Sequence, residues 1–257
     1  MKNLGLALAG MLVFTSTVQA DDYSDAVMAY AKGDYTSALG LYTTASEQGS
    51  AKAQYNLARM YRRGLGTHIQ SDVAFNWMLK SAEQGYTLAQ DQLGVMYARG
   101  EGRPIDGNEA YKWFRKSAEQ GYSKAQYKLG FMYADGLVVE QDFQMAFDWF
   151  KKSAEQGFAE AMYSLAVAYA NGQGTDESLK EAFNWYSSAS EKGIPNAQYD
   201  LAVMLSKGQG TAKDLIKAYY WASTASNNGV TDGDTLKEKI SKNLTPRQIE
   251  EAEASLQ

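Results

Sequence analysis

The chain has no cysteine, one histidine and three prolines in 257 residues. Without cysteine there are no disulfides, no thiol nucleophile and no cysteine-ligated zinc or iron–sulfur centre. A lone His68 rules out histidine-rich metal sites and His–His relays. Positive charge is also short: 25 Lys and Arg face 30 Asp and Glu, a net charge of −5. That balance argues against a nucleic-acid binder, whose affinity comes largely from cations on phosphates. No segment after the first twenty residues is apolar enough to cross a bilayer. Hydrophobic residues still make up 45% of the chain, enough for a core, so wholesale disorder is not expected.

Three prolines against 23 glycines suggest long helices stopped by glycine. The N-terminus reads as an address. Lys2 precedes an apolar run from Leu4 to Phe14, and Val18-Gln19-Ala20 fits signal-peptidase cleavage after Ala20. An uncleaved anchor or a buried helix is the alternative. No cysteine follows the cleavage point, so a bacterial lipoprotein anchor is excluded. Residues 1–20 are therefore expected to be a leader and the address periplasmic or secreted.

The rest is a repeat. Trp77, Trp113, Trp149, Trp185 and Trp221 share one period of 36 residues with Gly64, Gly100, Gly136, Gly172 and Gly208, and with Leu57 and its copies. Units run 51–86, 87–122, 123–158, 159–194 and 195–230. In the first, Ala53, Leu57, Met60 and Tyr61 form one helical stripe, helix A, ended by Gly64-x-Gly66. Asp72 lies near the start of helix B, and Ala74, Trp77, Met78, Ser81 and Ala82 make its stripe. Gly85 closes it in the left-handed conformation. Small residues at Ala58, Gly94 and Gly130, and at Ala74, Ala110 and Ala146, let helices approach closely. The tryptophans are expected to fill the space between units, so that Trp149→Ala costs about 3–5 kcal/mol if that ring is buried. Residues 21–50 hold a shortened helix pair that caps the stack. Residues 231–257 supply C-terminal capping helices, with a Thr245/Gln248 capping box around Pro246. Glu47, Glu83, Glu119, Glu155 and Glu191 sit against the helix dipole, which suggests a polar partner in the next unit.

Ala125-Gln126-Tyr127-Lys128-Leu129-Gly130-Phe131-Met132-Tyr133-Ala134-Asp135-Gly136, then Ala146-Phe147-Asp148-Trp149-Phe150 and Ser153-Ala154-Glu155-Gln156-Gly157, resemble the Sel-one-like repeat (SLR) family, a branch of the tetratricopeptide-like solenoids. The third repeat departs by Val138 in place of the second loop glycine. The resemblance implies an all-α, right-handed α/α superhelical solenoid of helix-turn-helix repeats, with helix A on the concave side. It also implies a non-enzymatic protein–protein interaction scaffold, and bacterial members of the family are often exported. A cysteine-rich branch is linked to penicillin binding and β-lactamase activity, but this chain lacks its disulfides and any Ser-x-x-Lys motif with companions. No cofactor or metal is expected. The partner is a protein or peptide, with a cell-wall component as the other candidate; a structural spacer in an envelope complex is a further reading.

Tetratricopeptide geometry, taken by analogy, puts Tyr55, Arg59, Arg62 and Arg63, Arg99, Tyr127 and Phe131, Tyr163, and Tyr199 on the concave face. Tyrosine and arginine are frequent binding hot spots. The tyrosines either line the groove or pack between adjacent A helices. The first unit holds five bases (Lys52, Arg59, Arg62, Arg63, Lys80) against Asp72 and Glu83, so its mouth suits an anion unless this is ordinary surface charge. His68 lies in a loop where later units carry Pro104, Glu140, Asp176 and Ala212, as a solvated residue would.

Overall fold

The computed structural model describes residues 18–254, with side chains from Asp22 onward. Most of the presumed leader, including Leu4–Phe14, lies outside the described residues, as does the tail beyond Ala254. The described residues form fourteen helices joined by short loops, with no strand. They fall into two compact units divided between Ile105 and Asp106. The first contains α1 (Val18–Ala31), α2 (Tyr35–Glu47), α3 (Ala51–Arg63), α4 (Ser71–Glu83) and α5 (Thr87–Arg99). The second contains α6 (Gly107–Glu119), α7 (Ser123–Asp135), α8 (Phe143–Glu155), α9 (Ala159–Asn171), α10 (Leu179–Glu191), α11 (Pro195–Lys207), α12 (Leu215–Asn227), α13 (Thr231–Ser241) and α14 (Pro246–Ala254). Within each unit, each helix packs on the next in sequence except at the end, where α14 packs back on α12, the arrangement of an all-α solenoid with a terminal cap.

The local rules are visible at the helix ends. Each A helix stops at a left-handed glycine, such as Gly64 at φ 69° and Gly172 at φ 65°. Helices B start on a side-chain cap: Asp106 accepts from Glu109 N, Asp142 from Met145 N and Asp214 from Lys217 N, each near 3.0 Å. In α4 the cap position is Gln70, which makes no such bond, and Asp72 merely sits in the first turn. Helices B end in a Schellman arrangement, with Tyr86 N donating to Ser81 O and Gly85 N to Ala82 O. At α14, Gln248 N donates to Thr245 Oγ1 while Thr245 N donates to Gln248 Oε1, a closed capping box.

The core differs from expectation at the tryptophans. Only Trp113 is buried, at 7% exposure; Trp77, Trp149, Trp185 and Trp221 are partly exposed. The next residue carries the buried volume instead: Met78, Phe114, Phe150 and Tyr186. Phe150 lies so close over Gly130 that a Cβ there would meet its ring at 2.8 Å. Lysine ammonium groups roof the rings of Trp77, Trp113 and Trp149, 3.9–4.3 Å from their centroids.

The polar link between repeats is a glutamine, and the glutamates are not it. Gln54 Nε2 donates to Ser46 O (3.1 Å) and Gln126 Nε2 to Ala118 O (3.2 Å), each reaching back one repeat. Each glutamine in turn accepts from a helix-B C-cap: Gln84 to Gln54 at 2.7 Å, Gln156 to Gln126 at 2.6 Å, and Asn228 to Gln198 at 2.9 Å. The five glutamates are exposed, and Glu119 is held by Arg115 of its own helix at 2.8 Å. A buried carbonyl satisfied by a neutral amide avoids the desolvation cost a carboxylate would bring.

Candidate binding surface

Among the described residues no group of three or more His, Asp or Glu is placed to hold a metal ion. His68 is exposed in the α3–α4 loop. What the A helices bring together is apolar and aromatic.

The four tyrosines are half-buried. Tyr55 meets Tyr86 edge-on at 5.3 Å, and the Arg59 guanidinium stands 5.5 Å from its ring. Tyr127 packs on Phe158 and Phe150 at 5.3 and 5.9 Å, and its hydroxyl bonds Ser164 on α9. Tyr163 packs on Tyr186 at 5.8 Å, and its hydroxyl bonds Asp200 on α11. Burial, then the Asp200 charge, pushes the Tyr163 hydroxyl up to about 12. Asp200 itself is raised by burial, partly offset by the Tyr163 hydrogen bond. Each of these two rings therefore fastens one A helix to the next while its remaining face stays accessible.

Between α7, α8 and α9 the surface opens into an apolar crevice of about 280 Å³. Phe131 and Tyr163, both assigned to the concave face from sequence, line it with Ala134 and Val167. So do Phe143, Phe147 and Phe150 of helix B, which sequence reasoning missed. Phe131 is 56% exposed and Phe143 38%, unusual for such large apolar groups on one opening.

The equivalent place in the first unit, two repeats earlier, is bridged. Arg62 Nη1 donates to Gln92 Oε1 at 3.0 Å, and Arg62 Nε lies 3.1 Å from Glu101. Arg99 approaches the same carboxylate at 3.7 Å. Two repeats on, Arg62, Gln92 and Glu101 correspond to Ala134, Ser164 and Gln173, all lining the open crevice. Arg62 and Arg99 thus share one acid, while Arg63 remains exposed and Arg59 leans on Tyr55 and bonds Asn56 at 3.3 Å. Comparing repeats position by position would have found this from sequence, because only the first unit carries the basic–amide–acid triple.

A family model described as Sel1 repeat matches residues 28–50, 51–86, 87–122, 123–158, 159–194 and 195–230. The chain is 32% identical to a Sel1 repeat protein from Oxalobacter formigenes, over 82% of this chain and 87% of that one, with a TM-score of 0.77. A protective antigen of uropathogenic Escherichia coli with an SLR fold is 27% identical, over 92% and 67%, with a TM-score of 0.38. An immunity protein from Pseudomonas aeruginosa is 21% identical, over 82% of each chain, with a TM-score of 0.46. No curated protein matches the chain.

Proposed function

The chain belongs to the Sel1 repeat family, and from that premise we propose that it is an exported, non-enzymatic adaptor that seats an extended partner segment on the A-helix face of its second unit. The observation that carries this reading is the α7–α9 crevice, flanked by the exposed rings of Phe131 and Phe143. Its volume falls just below the ~300–1,000 Å³ of typical small-molecule pockets, a size for one or two apolar side chains. Burying such an anchor contributes about 1.5–3 kcal/mol, and aromatic walls suit a hot spot. Residues 1–20 support the exported address, and among the described residues no helix is long and apolar enough to cross a membrane.

The test is peptide selection against residues 21–257, followed by affinity measurement on two variants that keep the native circular dichroism. Phe131→Ala removes a wall, and Ala134→Trp fills the opening. Selected peptides should share an apolar anchor and lose at least tenfold in affinity to both variants. Peptides that bind both variants like the parent would place the site elsewhere and sink the reading.

A further inference from the structure

The second unit repeats its crevice with different chemistry. Phe131, Ala134, Phe143, Ser164, Val167 and Ala168 line the opening between α7 and α9. Two repeats later their counterparts are Val203, Ser206, Leu215, Leu236, Lys239 and Ile240, and all of these line a crevice of about 390 Å³ between α11 and α13. Helix α13 therefore stands where a further A helix would. Val203 and Leu215 replace the walls of Phe131 and Phe143, and Tyr199 is the aromatic ring left on the lining. Lys239 takes the place of Val167, and Lys213 that of Gln141. Lys207 takes the place of Asp135, a reversal of charge.

No lining residue of this second crevice is acidic, although the chain as a whole is. The ion pairs at this end of the unit, Lys217 with Asp214 at 3.6 Å and Lys237 with Asp234 at 3.3 Å, involve none of the three lysines. Tyr199, Ser206 and Asn243 add neutral polar groups to the same lining. Three ammonium groups with such neighbours match carboxylates, and the net negative charge elsewhere makes the patch a local contrast that orients an approaching anion.

We propose that the α11–α13 crevice takes the carboxylates of an acidic, extended polypeptide segment whose apolar anchor lies in the α7–α9 crevice. This rests on the adaptor reading and adds the chemistry of the partner. Packed helices lie about 8–10 Å apart, so two repeats separate the crevices by roughly 20 Å, or about six residues of extended chain. Exposed charge pairs contribute on the order of two- to fivefold each, so loss of all three lysines should cost roughly tenfold or more.

The probes are fluorescein-labelled peptides carrying Phe-Leu at one end and Asp-Glu-Asp at the other, with a six-residue Gly/Ser spacer, in both orders. Each has a twin with Asn-Gln-Asn. Binding to residues 21–257 is followed by anisotropy at low and physiological salt. The acidic peptide should bind at least tenfold tighter than its twin in one order, with a preference that shrinks as salt rises. The preference should vanish in a Lys207→Ala, Lys213→Ala, Lys239→Ala variant, whose exposed positions leave the helices intact. Phe131→Ala should weaken acidic peptide and twin by the same factor. Twins of equal affinity, both lost with Phe131→Ala, would overturn the lysine site and leave the adaptor standing. Affinities of both peptides that Phe131→Ala leaves unchanged, with an acid preference lost in the lysine variant, would support the lysine site and remove the apolar anchor. A preference that survives the lysine variant, displacement by inorganic phosphate at peptide-like concentrations, or no binding of either twin would each overturn the proposal.

Discussion

Two classes of left-handed glycine should differ sharply in their tolerance of a methyl group. Gly157 ends α8 at φ 86°, and a Cβ built there meets nothing within 4 Å. Gly174, in the α9–α10 loop at φ 70°, would place its Cβ 2.0 Å from the carbonyl oxygen of Phe143, the first residue of α8. Both substitutions by alanine carry the left-handed penalty of about 1–2 kcal/mol. Only Gly174→Ala must also move backbone by about an ångström to restore contact distance, and comparable overpacking costs about 1–3 kcal/mol. The expected losses are therefore about 1–2 kcal/mol for Gly157→Ala and about 3–5 kcal/mol for Gly174→Ala. Urea denaturation of the two variants beside the parent measures both, with hydrogen exchange showing whether α8–α10 opens first. Equal losses would refute the close approach as the reason for the second loop glycine.

Two further outcomes follow from the core and from the buried acid. Phe150→Ala should cost about 3–5 kcal/mol, whereas the half-exposed Trp149→Ala should cost only about 1–2 kcal/mol; a larger loss at Trp149 in thermal or urea unfolding would return the core to the tryptophan face. Burial raises the Asp200 pKa above 3.8, so its protonated form favours the fold. That contribution is present below the unfolded value and is lost as pH rises through the folded one. Asp200→Asn keeps a partner for the Tyr163 hydroxyl and should gain thermal stability relative to the parent as pH goes from 3.5 to 6. A difference between the two chains that does not change with pH would contradict this.

The period, the helix ends and the small-residue contacts were legible because each is set within a few residues. Gly64, Gly85 and their copies announce left-handed stops, and Thr245-Pro246-Arg247-Gln248 encodes its own cap. The Trp77/Met78 pair was not resolvable in the same way. Both residues are apolar, they lie about 100° apart on the helix, and the stripe accommodates either as its centre. The glutamine link was hidden for another reason. Gln54 reaches the carbonyl of Ser46 across a repeat boundary, and no local rule ranks an amide above the neighbouring Glu47. On the A-helix face, the register grouped Phe131 with Tyr163, and both line one opening. It could not supply Phe143 and Phe147, which enter from helix B.

Departures from the repeat pattern occur in spatially matched sets, and this is what separates scaffold from site. Val138 replaces the second loop glycine of the third repeat. Its counterparts press on the first residue of the preceding helix B: Gly66 on Tyr35, Gly102 on Ser71, Gly174 on Phe143 and Gly210 on Leu179. At the third repeat that facing residue is itself a glycine, Gly107, and a Cβ on it would meet Val138 Cγ2 at 2.9 Å. The side chain has moved from one partner of the contact to the other, and the packing is kept. The crevice departures behave differently. Arg62, Gln92 and Glu101 exchange together for Ala134, Ser164 and Gln173, and the result is an opening rather than a restored contact. Lys207, Lys213 and Lys239 likewise change the charge of a lining without filling it. A set that conserves packing needs no explanation beyond the fold. A set that leaves exposed aromatic rings or ammonium groups on a concavity does not help the fold, and the proposed partner site rests on that difference.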